Sequence, residues 1–363
     1  MSNNKVLLFR KSLAIISAIL IFIFFFILLQ RYRLSSVKEN HILINDGSKI
    51  KESLREWWYF DGNLYDGTVL SVTWGVNGSF KDKILNYPVE VTILQPNGEK
   101  YSKRINFSPD NSSASLKNCD LKFGRNILKG KNGHYRMNLD LEDLKLDFEL
   151  KRDSPLYTGK LFDNYFNRNW RVGWLVEVPR GEMVGKMTLN GVEKNIRGMG
   201  YHDHNWFDLD FSEYGKILDH RYWGRFFFDD YILIFNYNIG KKEYEAPLFE
   251  SLYLARGDQV LIDYSQATGL GEKKSPLIII TRSGERIDSQ TGMKIYDKLN
   301  LKYKVDNGIE LELDSKNLGD MYSLASAEMG NQYIRYRAGA IIKIKEGEKA
   351  KIFEAKGIAE FRD

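Results

Sequence analysis

Beyond about residue 36 the chain alternates apolar and polar residues with the period of two that a half-buried strand requires. Val69-Leu70-Ser71-Val72-Thr73-Trp74, Val89-Glu90-Val91-Thr92-Ile93-Leu94 and Leu144-Lys145-Leu146-Asp147-Phe148-Glu149-Leu150 are typical runs. Turn pairs punctuate them at Asp46-Gly47, Asp61-Gly62, Asp66-Gly67, Asn77-Gly78, Asn97-Gly98, Asn132-Gly133, Asn190-Gly191 and Asn307-Gly308. Such Asn-Gly and Asp-Gly pairs are strong hairpin signals. Strands are also expected over 222–228 and 231–239 around an Asp229-Asp230 turn, and over 338–344 and 351–361. One short helix is expected around Tyr322 to Met329. The pattern predicts an all-β protein of short meandering strands, a barrel or sandwich.

The first 35 residues break this pattern. Lys5, Arg10 and Lys11 precede an apolar run from Ser12 to Leu29, and Gln30, Arg31, Tyr32 and Arg33 end it. A run of roughly 18 apolar residues just crosses a bilayer. A cleaved signal peptide has a shorter core followed by small residues. The reading is therefore an uncleaved single-pass membrane anchor over 1–35, with the body outside the cytoplasm. With 363 residues, the chain is long enough for two units. The seam between them is expected in the connector 207–219, giving units over 36–206 and 207–363.

Composition narrows the function. Aromatics reach 13%, which suits sheet surfaces and apolar pockets. Net charge is only +5 and no dense basic block follows the N-terminus, so nucleic acid is not an expected partner. Cys119 is the only cysteine, which rules out an intramolecular disulfide and a four-cysteine zinc site. No nucleophile elbow, phosphate loop or dinucleotide fingerprint occurs.

The densest chemistry lies in Gly198-Met199-Gly200-Tyr201-His202-Asp203-His204-Asn205-Trp206. In an extended chain, His202, His204 and Trp206 share one face and Asp203 and Asn205 the other. His202, Asp203 and His204 are candidate proton-transfer groups. Trp57, Trp58, Tyr222, Trp223 and Tyr231 are candidate walls, and Tyr201 and Asn205 candidate polar donors. Trp57 and Trp58 must point to opposite faces, one to core and one to pocket or interface. Arg225, alone among aromatics, would pair with Asp203 or Asp219, or reach solvent. Arg55 and Glu56 read as a surface pair. His-x-His, completed by His220 or Asp219, is a weaker metal reading; no metal or other cofactor is expected. The competing reading of the whole run is a buried network satisfying its own hydrogen bonds.

Arg55-Glu56-Trp57-Trp58-Tyr59-Phe60-Asp61-Gly62 and the run 198–206, in this order and separation, resemble the carotenoid 1,2-hydratase (hydroxyneurosporene synthase) and AttH-like superfamily. The runs 336–340 and 357–361 resemble its closing strands. The resemblance implies two consecutive lipocalin-like β-barrels and a hydrophobic small-molecule ligand of isoprenoid or polyketide type. It implies cofactor-free hydration, cyclisation or isomerisation of carbon–carbon double bonds, with His204, Asp203, His202 and Tyr231 as candidate catalytic residues. Two departures stand out. Phe207 occupies the place of a Gly, and Asn236 and Asn238 stand near Tyr231 where hydratases carry an Asp. The second argues against carotenoid hydration in particular and gives weight to the alternative, a non-catalytic carrier of a hydrophobic ligand.

Overall fold

A computed structural model describes residues 53–79, 84–115, 118–165, 170–208, 218–241, 249–267, 277–289, 291–292, 294–304, 308–326 and 331–362. These residues form two antiparallel sheets. The first contains β1 (Ser53–Leu64), β2 (Val69–Ser79), β3 (Ile84–Leu94), β4 (Lys100–Phe107), β5 (Ser112–Ala114), β6 (Cys119–Phe123), β7 (Asn126–Lys131), β8 (His134–Asp140), β9 (Leu144–Arg152), β10 (Tyr157–Tyr165), β11 (Trp170–Leu189) and β12 (Val192–Asp208). The second contains β13 (Leu218–Phe228), β14 (Tyr231–Gly240), β15 (Phe249–Arg256), β16 (Gln259–Ala267), β17 (Ile278–Ile287), β18 (Lys294–Lys304), β19 (Ile309–Ser326), β20 (Asn331–Glu346) and β21 (Lys349–Arg362).

In the first sheet β1 pairs with β2 and β12, which joins the chain's early and late halves of that sheet. In the second, β13 pairs with β14 and β21, the same closing move. Each sheet curls round its own core. Trp58, Val72, Val91, Phe123, Tyr135 and Phe148, from six strands, meet in the first. Tyr222, Leu254, Leu301 and Ile342 meet in the second. A third apolar cluster, including Tyr59, Trp174, Tyr201, Trp223, Ile234 and Tyr253, fills the seam between the sheets. The described residues are thus all-β and lipocalin-like.

The Asn-Gly pairs act as read at Asn132-Gly133 and Asn190-Gly191. Both residues of each pair have positive φ, the conformation of the tight hairpin turn. Asp61-Gly62 and Asn77-Gly78 instead lie inside β1 and β2. Asp61 is fully buried in an ion pair. Gly62 is a close-approach site, where an added Cβ would sit 2.9 Å from the Met183 sulfur. The helix expected from Tyr322 is strand at least to Ser326, because this segment continues its ladder with β20 from Tyr322↔Arg335 to Ser326↔Asn331.

The expectation of a membrane-anchored protein is corrected. Among the described residues no helix is long and apolar enough to cross a membrane. The stretch 1–35, on which that expectation rested, lies outside the described residues, as does Asp46-Gly47.

Candidate functional site

The two sequence motifs are hydrogen-bonded neighbours. β1 and β12 pair with Trp58 opposite His204, Tyr59 opposite Asp203 and Phe60 opposite His202. Strand alternation then sorts the motif residues onto two faces. Glu56, Trp58, Phe60, His202, His204 and Trp206 share the face toward the first sheet's interior. Trp57, Tyr59, Asp61, Tyr201, Asp203 and Asn205 share the face toward the seam.

Asp203 is the focus of the seam face. Its Oδ2 accepts hydrogen bonds from Trp174 Nε1 at 2.9 Å and the Tyr201 hydroxyl at 2.7 Å, and its Oδ1 accepts from Asn205 Nδ2 at 2.7 Å. Three donors stabilise a carboxylate, yet burial outweighs them and pushes the carboxyl up to about 7. Burial, followed by the neighbouring Asp203, holds the Tyr201 hydroxyl far above its ordinary range, so it stays a donor. Trp223 from the second sheet stands edge-on to Tyr201, with ring centroids 5.6 Å apart, and to Tyr59 at 6.1 Å.

Around this carboxyl the two sheets are pinned by one buried ion pair and one buried arginine hydrogen bond. Arg225 reaches across the seam to Asp61 and Asn63, not to Asp203, Asp219 or solvent as expected, and its guanidinium lies 4.2 Å from the Phe227 ring centroid. Arg335 donates to Glu360 at 2.8 Å and to Ser71 at 3.3 Å. Burial opposes ionisation of Glu360, but the Arg335 and Arg221 guanidiniums prevail and hold it below the usual range. Asn236 and Asn238 share the face of β14 that carries the seam residues Ile232 and Ile234. Asn236 lies opposite Trp223. Asn238 donates to Asn236 at 3.2 Å, and both are buried.

On the other face, His204 stacks on Trp58 at 4.6 Å with rings 9° apart. Its Nε2 lies 2.7 Å from Glu56 Oε1, with both side chains fully buried. Glu56 is therefore not half of a surface pair with Arg55. Burial raises its carboxyl well above the ordinary value. His202 stacks on Phe60 at 3.9 Å, and its Nδ1 donates to the Tyr59 carbonyl at 2.9 Å. Burial lowers its pKa to about 3, so the ring is neutral and Nε2 presents a lone pair. Trp206 lies over Gly173, where a Cβ would collide with the indole at 1.9 Å.

Tyr231 and Tyr222 are not brought to these groups. Both belong to the second sheet's interior cluster, Tyr231 stacked on Phe228 beside the β13–β14 turn. His220 pairs with Asp219 at 3.1 Å, and among the described residues no three His, Cys, Asp or Glu side chains are grouped to hold a metal. The sequence reading missed Glu56, Trp174, Asp61 and Glu360. Only Glu56 carried a signal, since it shares the period-two face of Trp58 and Phe60.

No protein-family model matches the chain, and no curated protein matches it. Solved structures do. CghA in complex with Sch210972 aligns with a TM-score of 0.64 at 10% identity, over 85% of this chain and 88% of that one. An AttH-type protein from Nitrosomonas europaea aligns at 0.60 and 15%, over 84% and 92%. Kievitone hydratase from Nectria haematococca aligns at 0.55 and 11%, over 86% and 89%. The chain has the lipocalin-like AttH fold that its two motifs imply.

Proposed function

We propose that this protein acts on a hydrophobic small molecule at the seam between two consecutive lipocalin-like barrels, without a cofactor, by adding a proton to a carbon–carbon double bond. The barrels are built on β1–β12 and on β13–β21. The observation that carries this reading is Asp203, a carboxyl poised near neutrality inside a wall of Trp174, Tyr201 and Trp223. General acids work best when their pKa lies near the working pH. The aromatic faces supply what a carbocation needs, a negative quadrupole in a water-poor site.

In the hydration form of the reaction, the Asp203 proton goes to one alkene carbon. Water adds through oxygen to the cationic neighbour, and its surplus proton returns to the Asp203 carboxylate. Omitting the water and losing a proton from an adjacent carbon gives isomerisation. Asn236, Asn238 and Asn205 are neutral hydrogen-bonding groups that can orient an oxygen on the substrate. Kievitone hydratase and CghA share the fold, which supports the class of small-molecule chemistry and not a particular substrate.

The test is to incubate the full chain with a total lipid extract of the source organism and analyse free and bound species by mass spectrometry. A species heavier by one water establishes hydration; unchanged mass with altered retention establishes isomerisation or cyclisation. Asp203→Asn is expected to lower the rate by about two to four orders of magnitude with the fold intact. A bound species unchanged in mass and retention overturns catalysis and leaves a carrier.

A further inference from the structure

The interior of the first barrel is polar at one end. From β1 the cross-strand rungs run Glu56 with Trp206, then Trp74, Trp58 and His204, then Phe60 with His202. The next rung is Gly62 with Gly200, and there Met183 and Leu150 fill the space that side chains would take. Three rungs with polar atoms therefore stand on a hydrocarbon floor. Tyr135 joins from β8, its ring 4.2 Å from that of His202.

These polar atoms are not satisfied by one another. Among the described residues, Trp58 Nε1, Trp74 Nε1, Tyr135 OH, His202 Nε2 and Glu56 Oε2 are buried and have no hydrogen-bond partner. Buried polar groups are almost always paired, because each orphan forfeits its hydration without return. One orphan is a local defect; five on adjoining rungs of one barrel mark a shared recipient.

We propose that this end of the first barrel is a second binding site, for an uncharged flat molecule carrying a hydroxyl or carbonyl oxygen. The two indole N–H groups can only donate, so they call for an oxygen acceptor. The neutral His202 Nε2 can only accept, so it suits a hydroxyl. Flat rings fit against Trp58, Trp74 and Tyr135, where offset and edge contacts are favourable. The buried arginines Arg225 and Arg335 face the seam, so a charged ligand would find no counter-ion here. The Glu56–His204 pair links the two outermost of these rungs, next to whatever is bound. The site shares the β1–β12 ladder with the seam but uses its opposite face, and it does not depend on the chemistry proposed there.

The test uses 1-naphthol as probe with the full chain. Expected is saturable binding of one equivalent, with chemical-shift changes confined mainly to the indole N–H signals of Trp58 and Trp74. Tyr135→Phe keeps the ring and removes only the hydroxyl, and Trp74→Phe keeps a six-membered ring and removes the indole N–H together with two ring carbons. Each should weaken binding about fivefold, the worth of one hydrogen bond, whereas Asp203→Asn should leave it unchanged. Loss of binding in Asp203→Asn with no effect of Trp74→Phe places the probe at the seam and overturns the proposal. So does absence of binding, or a crystal structure grown with 1-naphthol in which ordered water serves all five atoms. If either Phe variant fails to fold, the indole signals of the unaltered chain decide.

Discussion

The two barrels bury a carboxyl group on an inner face in opposite ways. Glu250 of the second barrel accepts from the Tyr264 hydroxyl at 2.5 Å and from the backbone N–H groups of Leu277 and Ile278 at 3.1 and 3.0 Å. These bonds tie β15 to the start of β17 and draw together edges that the sheet order leaves unpaired. Glu56 of the first barrel meets the His204 ring alone through Oε1, and its Oε2 has no hydrogen-bond partner among the described residues. The same residue type is a structural staple where its lone pairs are used up and keeps an open acceptor where they are not. Burial alone does not distinguish the two, since both side chains are fully buried. Hydrogen-bond accounting does.

The largest expected effect falls on the joint between the barrels. Arg225→Ala leaves Asp61 as an uncompensated buried charge and should cost about 3–5 kcal/mol, read as a lower midpoint in urea unfolding. A loss under about 1 kcal/mol would mean that this ion pair is not what holds the barrels together.

Asp203 gives a pH signature. Its folded value of about 7 lies above the ordinary 3.8, so the folded form holds the extra proton between those values. The stability it contributes is fully present below the unfolded value and is lost as pH rises through the folded one, by up to about 4 kcal/mol. Asp203→Asn should flatten this slope in unfolding measured from pH 4 to 8.

The two glutamates themselves provide the sharper contrast. Glu250→Gln replaces charge-assisted bonds with weaker ones and turns one acceptor into a donor facing N–H groups, a cost of about 3 kcal/mol in thermal or urea unfolding. Glu56→Gln should cost less than about 1 kcal/mol, because burial raises that carboxyl well above its ordinary value and one oxygen has no partner to lose. Equal losses would erase the distinction drawn between the barrels.

Much of this was legible in the sequence. Alternation along 198–206 is sufficient to separate His202, His204 and Trp206 from Asp203 and Asn205, because the side-chain period of a strand is fixed by its pleat. The tight turns at Asn132-Gly133 and Asn190-Gly191 follow from residues that tolerate positive φ. Partners across the seam were not legible. Arg225 meets Asp61 over a separation of 164 residues, and nothing local encodes that. The family resemblance points to Tyr231 as a Tyr on a strand shortly after the motif, but it lies on the interior face of β14 while Asn236 and Asn238 lie on the seam face. Asp61-Gly62 carried the local signature of a turn, and the buried ion pair with the Met183 contact overrode it.

Asp203 is the group that would hold a proton near neutrality between the two barrels. A ¹³C carboxyl titration of the aspartate-labelled chain, with Asp203→Asn used to assign the signal, tests it directly. One aspartate should titrate near pH 7, and its signal should vanish in the variant. An Asp203 signal already ionised at pH 5 would contradict it and remove the proton donor from the seam.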